Sequence, residues 1–233
     1  MREEDLIREQ IDFYRARASG YDATSRPPGD PLARYGNNVL DALDRFRATG
    51  RVLEIASGTG SWTPSLLRHA ASVTALDSSP EMLRLSRQKT GDDPRVRYVE
   101  ADVFTWQADA TYDVVFFANW LSHVPPACFD GFWRTVRAAL APGGRVFFAD
   151  EATDAWRHET VEGDDFPVVR RSVEDGRTYR VVKVFWDLDE LETRLRALGW
   201  RVELHSAGPF FWGVAQWVGA DFERPTQSGE PQS

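Results

Sequence analysis

The stretch 53-LEIASGTGSW-62 places a carboxylate, Glu54, inside an apolar run and follows it with two glycines two residues apart, Gly58 and Gly60. Glycine admits backbone conformations closed to other residues and keeps Cβ atoms out of a neighbour's way, so such a turn lets a ligand approach the main chain. A tight strand-to-helix connection uses the same pattern. Two further acids stand at comparable places. Asp77 closes 72-SVTALD-77, where an acid accepts the hydroxyls of a ribose, or caps the helix that follows. Asp102, after 97-RYVEA-101, is placed to receive an adenine amino group, and a solvated loop acid is its plainer reading. His123, in 120-WLSHVP-125, is the candidate general base, with Asp150 and Glu151 as alternatives; packing or capping would account for the same histidine.

These residues need a scaffold that brings strand ends together. Residues 3–18 read as a helix with Ile7, Ile11 and Tyr14 on one face, and a second helix spans about Gly36 to Arg47. Strands are expected at 51–56, 72–77, 95–101, 112–119 and 145–150. Helices fall between them at 61–70, from Ser79-Pro80 onward, and at 129–140. The centre of 112-YDVVFFAN-119 is apolar throughout, as in a parallel strand covered on both faces. Residues 151–176 carry no period and read as a lid or a disordered loop. A strand at 178–186, a helix at 188–198 capped by Asp187, and two strands joined around Gly208-Pro209 follow. Residues 223–233 read as a disordered tail. Alternating strands and helices imply a parallel sheet sandwiched by helices, an α/β fold of the Rossmann kind with an antiparallel C-terminal edge hairpin.

Taken together, these residues resemble the class I S-adenosylmethionine-dependent methyltransferases, closely over about Val52 to Asp150 and more loosely to Val218. LEIASGTG is similar to that family's first motif, LDSSPEML to its second, VEADVFTW to its third and YDVVFFANWLSHVP to its fourth, while LAPGGRVFFADE resembles its approach to the fifth strand. Ala56 departs from the pattern, standing where the family most often has its first glycine. The resemblance implies a mostly parallel seven-stranded sheet in a single domain over 1–222, with 1–48 as a helical lid. It implies S-adenosyl-L-methionine as cofactor, held by Glu54, Ala56, Ser57, Gly58, Gly60, Trp62, Asp77, Ser78, Met82, Asp102, Val103, Asn119 and Trp120. Glu54 would then sit near an α-ammonium; a dinucleotide would put a pyrophosphate there, which a carboxylate repels. Tyr14, Tyr21, Asp150, Glu151 and His158 are the expected acceptor contacts.

The bulk composition narrows the reaction. The 233 residues fit one domain, and 42% hydrophobic content places the chain outside the disordered range. The net charge of −8 argues against nucleic acid as the main partner. With no apolar run of membrane length and a charged N-terminus, the expectation is a soluble, cytoplasmic protein without a membrane partner. A single cysteine, Cys128, excludes an internal disulfide, and no convincing metal ligand set is visible. The expected function is methyl transfer to oxygen or nitrogen of a small molecule, of the kind met in secondary metabolism. An acidic 151–167 segment lining the pocket would favour a neutral or cationic acceptor. A non-catalytic binding subunit, or another use of the sulfonium, stays open as an alternative, as does a homodimer.

Overall fold

The computed structural model describes residues 3–25, 33–152, 160–162 and 167–219. The expected tail at 223–233 and His158, with most acids of the 151–167 segment, lie outside the described residues. Nine strands are described: β1 (Gly50–Ile55), β2 (Ala70–Asp77), β3 (Val96–Glu100), β4 (Tyr112–Ala118), β5 (Leu140–Glu151), β6 (Val168–Ser172), β7 (Thr178–Val182), β8 (Trp200–Ala207) and β9 (Phe210–Trp217). The helices are α1 (Glu3–Arg17), α2 (Tyr21–Ser25), α3 (Ala33–Phe46), α4 (Thr63–Leu66), α5 (Pro80–Thr90), α6 (Phe129–Ala139) and α7 (Leu188–Ala197). Seven strands form one sheet in the order β3-β2-β1-β4-β5-β9-β8, parallel from β3 to β5, with β9 antiparallel to both its neighbours.

The parity of each central strand divides its side chains between two helical layers. Along β4, Val115 and Phe117 pack with Phe132, Trp133 and Val136 of α6 and Leu191 and Leu195 of α7. Val114 and Phe116 join Val39 and Leu43 of α3 and Leu66 of α4 on the other face. Both faces are therefore buried, which is why these strands read as unbroken apolar runs. Glu54 shares the parity of Val52 on β1 and so points toward α4. Strand order reverses between β1 and β4, and their carboxyl ends open the crevice in which such sheets take ligands.

Four elements differ from the sequence pattern, and the simplest is the strand expected at 178–186, which stops at Val182. The helix expected at 61–70 is a single turn, because β2 starts at Ala70, paired with Gly50, and leaves no length for a second. The strand expected at 145–150 begins at Leu140, and the register slips opposite Tyr112–Val114 to accommodate Pro142-Gly143-Gly144. The 151–176 stretch contains a strand, since β6 forms an antiparallel pair with β7. Its 168-VVRRS-172 has no alternation because Val168 and Val169 are both buried, one packed with Leu6 and the other with Phe13 of α1. Helix α1 is thereby fastened to this hairpin. Gln10 reinforces the join by accepting from Val182 N–H (3.0 Å) and donating to the His123 carbonyl (3.1 Å).

Candidate functional site

The crevice holds two cavities. A narrow one of about 80 Å³ lies over the ends of β1, β2 and β4, walled by Gly58, Asp77, Met82, Val103, Phe104 and Trp120 and roofed by Ile7, Gln10 and Ile11 of α1. A wide one of about 1000 Å³ adjoins it, lined among others by Arg17, Trp62, Asp150, Glu151, Arg171 and Lys183. Tyr14, Tyr21, Asn119 and His123 line both, and so mark the seam between them.

The glycine turn is held from below. Asp77, at the end of β2, accepts from Gly58 N–H (2.8 Å) and Ser79 N–H (2.9 Å), and each carboxylate oxygen keeps a further lone pair. Burial raises the Asp77 pKa, against the pull of those backbone donors. Glu54 is more deeply placed, at 1% exposure. One of its oxygens takes the Thr63 hydroxyl (2.7 Å), and Oε1 has no partner among the described residues. Burial, reinforced by the Asp77 charge, pushes its carboxyl to about 8 despite the Thr63 bond.

The two glycines have different reasons. A Cβ on Gly58 would meet nothing within 4 Å, facing the open narrow cavity. A Cβ on Gly60 would stand 2.3 Å from Ser86 Oγ and 2.9 Å from Ser86 Cβ, so this glycine lets α5 approach the turn. Both have positive φ, as does Ala56 at 51°, the position of the missing family glycine. Gly58→Ala is expected to lose only about 1–2 kcal/mol of stability, from the left-handed backbone alone. Gly60→Ala adds overpacking and should lose about 2–4 kcal/mol. Chemical denaturation of the two variants tests the order, and Ser86→Gly in the Gly60→Ala background should recover part of the loss.

At the seam, His123 Nδ1 lies 2.7 Å from the Val182 carbonyl oxygen. A carbonyl only accepts, so Nδ1 carries the proton and Nε2 is left to accept from the Tyr14 hydroxyl at 2.8 Å. Burial, with the charges of Lys183, Arg171 and Arg17 behind it, lowers the His123 pKa to about 3. The imidazole is thus neutral with both nitrogens engaged. Tyr14 is raised well above its ordinary value, chiefly by burial. Asp150 accepts from the backbone N–H groups of Ser122 (2.9 Å) and Glu151 (2.8 Å), and burial raises it too. Lys183, 6% exposed, pairs with Glu151 at 2.7 Å and reaches Ser122 Oγ at 3.3 Å. Asn119 enters the seam with φ 53°, its N–H held by the Ala149 carbonyl.

Most of the expected residues converge on this crevice. Ala56, Gly58, Asp77, Ser78, Met82, Asp102, Val103, Asn119 and Trp120 line the narrow cavity. Trp62 lies instead on the wide one, against Phe116, while Glu54, Ser57 and Gly60 stand behind the lining. Tyr14, Tyr21, Asp150 and Glu151 line the wide cavity. Sequence reasoning passed over Arg17, Arg171 and Lys183. Lys183 had a signal: a lone cation inside the apolar run 181-VVKVFW-186. The arginines had none, since charges on α1 and β6 look like solvated faces. Among the described residues no three His, Cys, Asp or Glu side chains gather as a metal site, and no helix is long and apolar enough to cross a membrane.

A family model described as "Methyltransferase domain" matches residues 52–144. The solved structure titled "DhpI-SAH complex structure" is 39% identical over 93% of this chain and 99% of its own, with a TM-score of 0.81. The chain belongs to the class I S-adenosylmethionine-dependent methyltransferases. A second structure, titled "DhpI-SAM-HEP complex", is 41% identical over 93% of this chain and 100% of its own, again at 0.81. Among curated relatives, a malonyl-[acyl-carrier protein] O-methyltransferase from Paenibacillus sp. (strain JDR-2) is 33% identical over 49% of this chain and 45% of its own. A ubiquinone biosynthesis O-methyltransferase from Vibrio parahaemolyticus is 33% identical over 48% of each. The chain thus spans about half the length of these curated relatives. The methyltransferases of this family use S-adenosylmethionine, and the unpartnered Glu54 Oε1 and the Cβ-free face of Gly58 suit a cationic ligand laid close to the backbone.

Proposed function

We propose that this protein methylates a small molecule at an oxygen that is already anionic at neutral pH, such as a carboxylate or a phosphorus oxyacid. The narrow cavity is read as the cofactor site. Asp77 would hold the ribose hydroxyls, Asp102 and the Val103 backbone the adenine, and Met82, Phe104 and Trp120 its faces. Glu54 lies behind the turn with an oxygen available to an ammonium. When bound, S-adenosylmethionine supplies an electrophilic methyl group on a sulfonium. The wide cavity is read as the acceptor site, with the four seam residues where the two meet. The relative's complex with SAM and HEP is a ternary one, which matches two joined cavities.

The observation that carries the acceptor class is the state of His123. Neutral, buried and bonded at both nitrogens, it has no site left for a proton taken from an acceptor. Of the two alternative bases, Glu151 pairs with Lys183, and Asp150 accepts one backbone N–H group on each oxygen, which leaves it the remaining base to be tested. An acceptor that needs no deprotonation fits such a site, and Arg17, Arg171 and Lys183 supply positive charge at its wall. The same wall carries Asp150, Glu151, Glu174 and Asp175; Glu151 pairs with Lys183 and Asp175 with Arg177. Arg17 donates to the Thr24 and Ser25 hydroxyls and lies 4.9 Å over the Tyr21 ring. Tyr14 and His123 hold each other in place, and the aromatic rings at the seam favour a cation by about 0.5–2 kcal/mol. The chain's remaining task is alignment of donor and acceptor in line.

The expectation of a neutral or cationic acceptor rested on the acidic 151–167 segment, most of which lies outside the described residues. The described walls hold both signs, and Arg17, Arg171 and Lys183 are the groups there that would partner an anion. A panel of carboxylates, phosphonates, phenols and amines, with S-adenosylhomocysteine release as readout, tests this reading. The oxyanions should turn over, and with cofactor saturating kcat/KM for a carboxylate should be level from about pH 6 to pH 9, because no group needed as a base titrates there. Turnover of phenols alone, with a rate that climbs with pH and is lost in Asp150→Asn, would sink it in favour of base catalysis by Asp150. Cofactor binding without turnover of any acceptor would favour a binding subunit.

A further inference from the structure

We propose that Asp22, Thr59 and Lys89 form a latch that holds the α1–α2 segment closed over the narrow cavity and sets how fast the adenosyl cofactor leaves. The proposal rests on the cofactor reading of that cavity and is independent of the acceptor. At about 80 Å³ the cavity is well below the roughly 300–1,000 Å³ usual for a ligand site. Its roof is Ile7, Gln10, Ile11 and Tyr14 of α1 with Tyr21 of α2, so a shift of that roof widens the cavity for a ligand of nucleoside size.

The roof is fastened in two directions. Toward the β6–β7 hairpin it is tied by Gln10 and by Glu9, which pairs with Arg180 and accepts from its backbone N–H at 2.7 Å. These contacts bind α1 to the hairpin as one cap. Toward the sheet side, Gln10 and Tyr14 bond His123, and Arg15 lies 3.7 Å from Glu100. Arg15 donates to the Ser78 carbonyl at 2.9 Å. Asp22 takes the Thr59 hydroxyl at 2.6 Å with one carboxylate oxygen and Lys89 Nζ at 2.9 Å with the other. Lys89 closes the triangle by donating to Thr59 Oγ1 at 3.1 Å. Thr59 sits between Gly58 and Gly60, 2% exposed, and Lys89 lies in the last turn of α5. Three elements thus meet at Asp22, whose chain neighbour Tyr21 lines both cavities. Breaking this meeting point frees α2 from the glycine turn without touching a residue that lines the narrow cavity.

Asp22 and Lys89 are therefore positioning residues, and release of S-adenosylhomocysteine measures their role. Stopped-flow displacement on the full chain, followed by tryptophan fluorescence through Trp120 in the cavity wall, gives the rate. Asp22→Asn and Lys89→Met should each speed release about fivefold, the scale of a half-exposed charge pair, with the association rate within about twofold of wild type. The reversed pair Asp22→Lys/Lys89→Asp should regain much of the slow release. Raising NaCl from about 50 to about 500 mM should speed wild-type release and leave Lys89→Met unmoved. A merely structural role would lower the melting temperature of all variants and show neither the charge-reversal rescue nor the salt response. Release rates indistinguishable from wild type, with binding intact, would overturn the latch alone. Failure of the wild-type chain to bind S-adenosylhomocysteine would overturn the cavity reading on which it stands.

Discussion

Asp77→Asn is expected to weaken S-adenosylhomocysteine binding by about 10- to 100-fold while leaving the fold intact. The carboxylate has two backbone donors, Gly58 N–H and Ser79 N–H, one on each oxygen. An asparagine offers one acceptor oxygen, so its NH2 must face one of these donors and push it away. If Gly58 is the one released, the glycine turn loses its anchor to β2, and the ribose hydroxyls lose one of two acceptor atoms. A hydrogen bond to a charged group is worth about 1.5–3 kcal/mol, which gives the stated range. Folding should suffer little, because the substitution also removes a buried charge whose pKa burial has already raised. Calorimetric titration with S-adenosylhomocysteine, paired with thermal melting, separates the two effects. An affinity within threefold of wild type would remove Asp77 from the cofactor site.

The sheet and the crevice at its strand ends were readable because both rest on local signals. Unbroken runs such as 114-VVFF-117 follow from burial on two faces, and the strand-end positions of Glu54, Asp77 and Asp102 follow from the runs. The Ser79 cap and the Asp187 cap read directly as well, with Met82 N–H and Glu190 N–H as their partners. What escaped depends on contacts distant in sequence. Gly60 is required by Ser86 on another element. The neutral state of His123 comes from Tyr14 and from Val182, which 109 and 59 positions of chain separate from it. β6 was illegible because its two valines face different partners on one helix, erasing the period of two. Lys183 was visible as an oddity, yet nothing in its neighbourhood announced that it would stand beside Glu151 and face a cavity.

Glu54→Gln should stabilise the ligand-free protein at alkaline pH and weaken its hold on the cofactor. Burial lifts the Glu54 carboxyl from 4.5 to about 8, so the folded state holds a proton that the unfolded chain has lost in that window. Its contribution to stability is whole below pH 4.5 and lost as pH rises through 8, a total on the order of 5 kcal/mol. His123 runs the other way: lowered to about 3, it gives stability that is present above its ordinary 6.5 and lost on acidification. Between pH 4.5 and 6.5 the two oppose each other. Above 6.5 Glu54 acts without that opposition; burial shifts Asp77 and Asp150 in the same direction as Glu54. Urea unfolding at pH 6.5 and 8.5 should therefore show wild type losing about 2 kcal/mol more than Glu54→Gln across the interval. Equal slopes would mean that Glu54 is ionised throughout and its burial is compensated. The same glutamine carries no charge for an ammonium, so S-adenosylhomocysteine should bind more weakly to the variant. Its affinity should also lose the pH dependence that proton release from Glu54 imposes on wild type. Both results together would mark Glu54 as a ligand-binding carboxylate, because glutamine would keep the Thr63 bond without a buried charge.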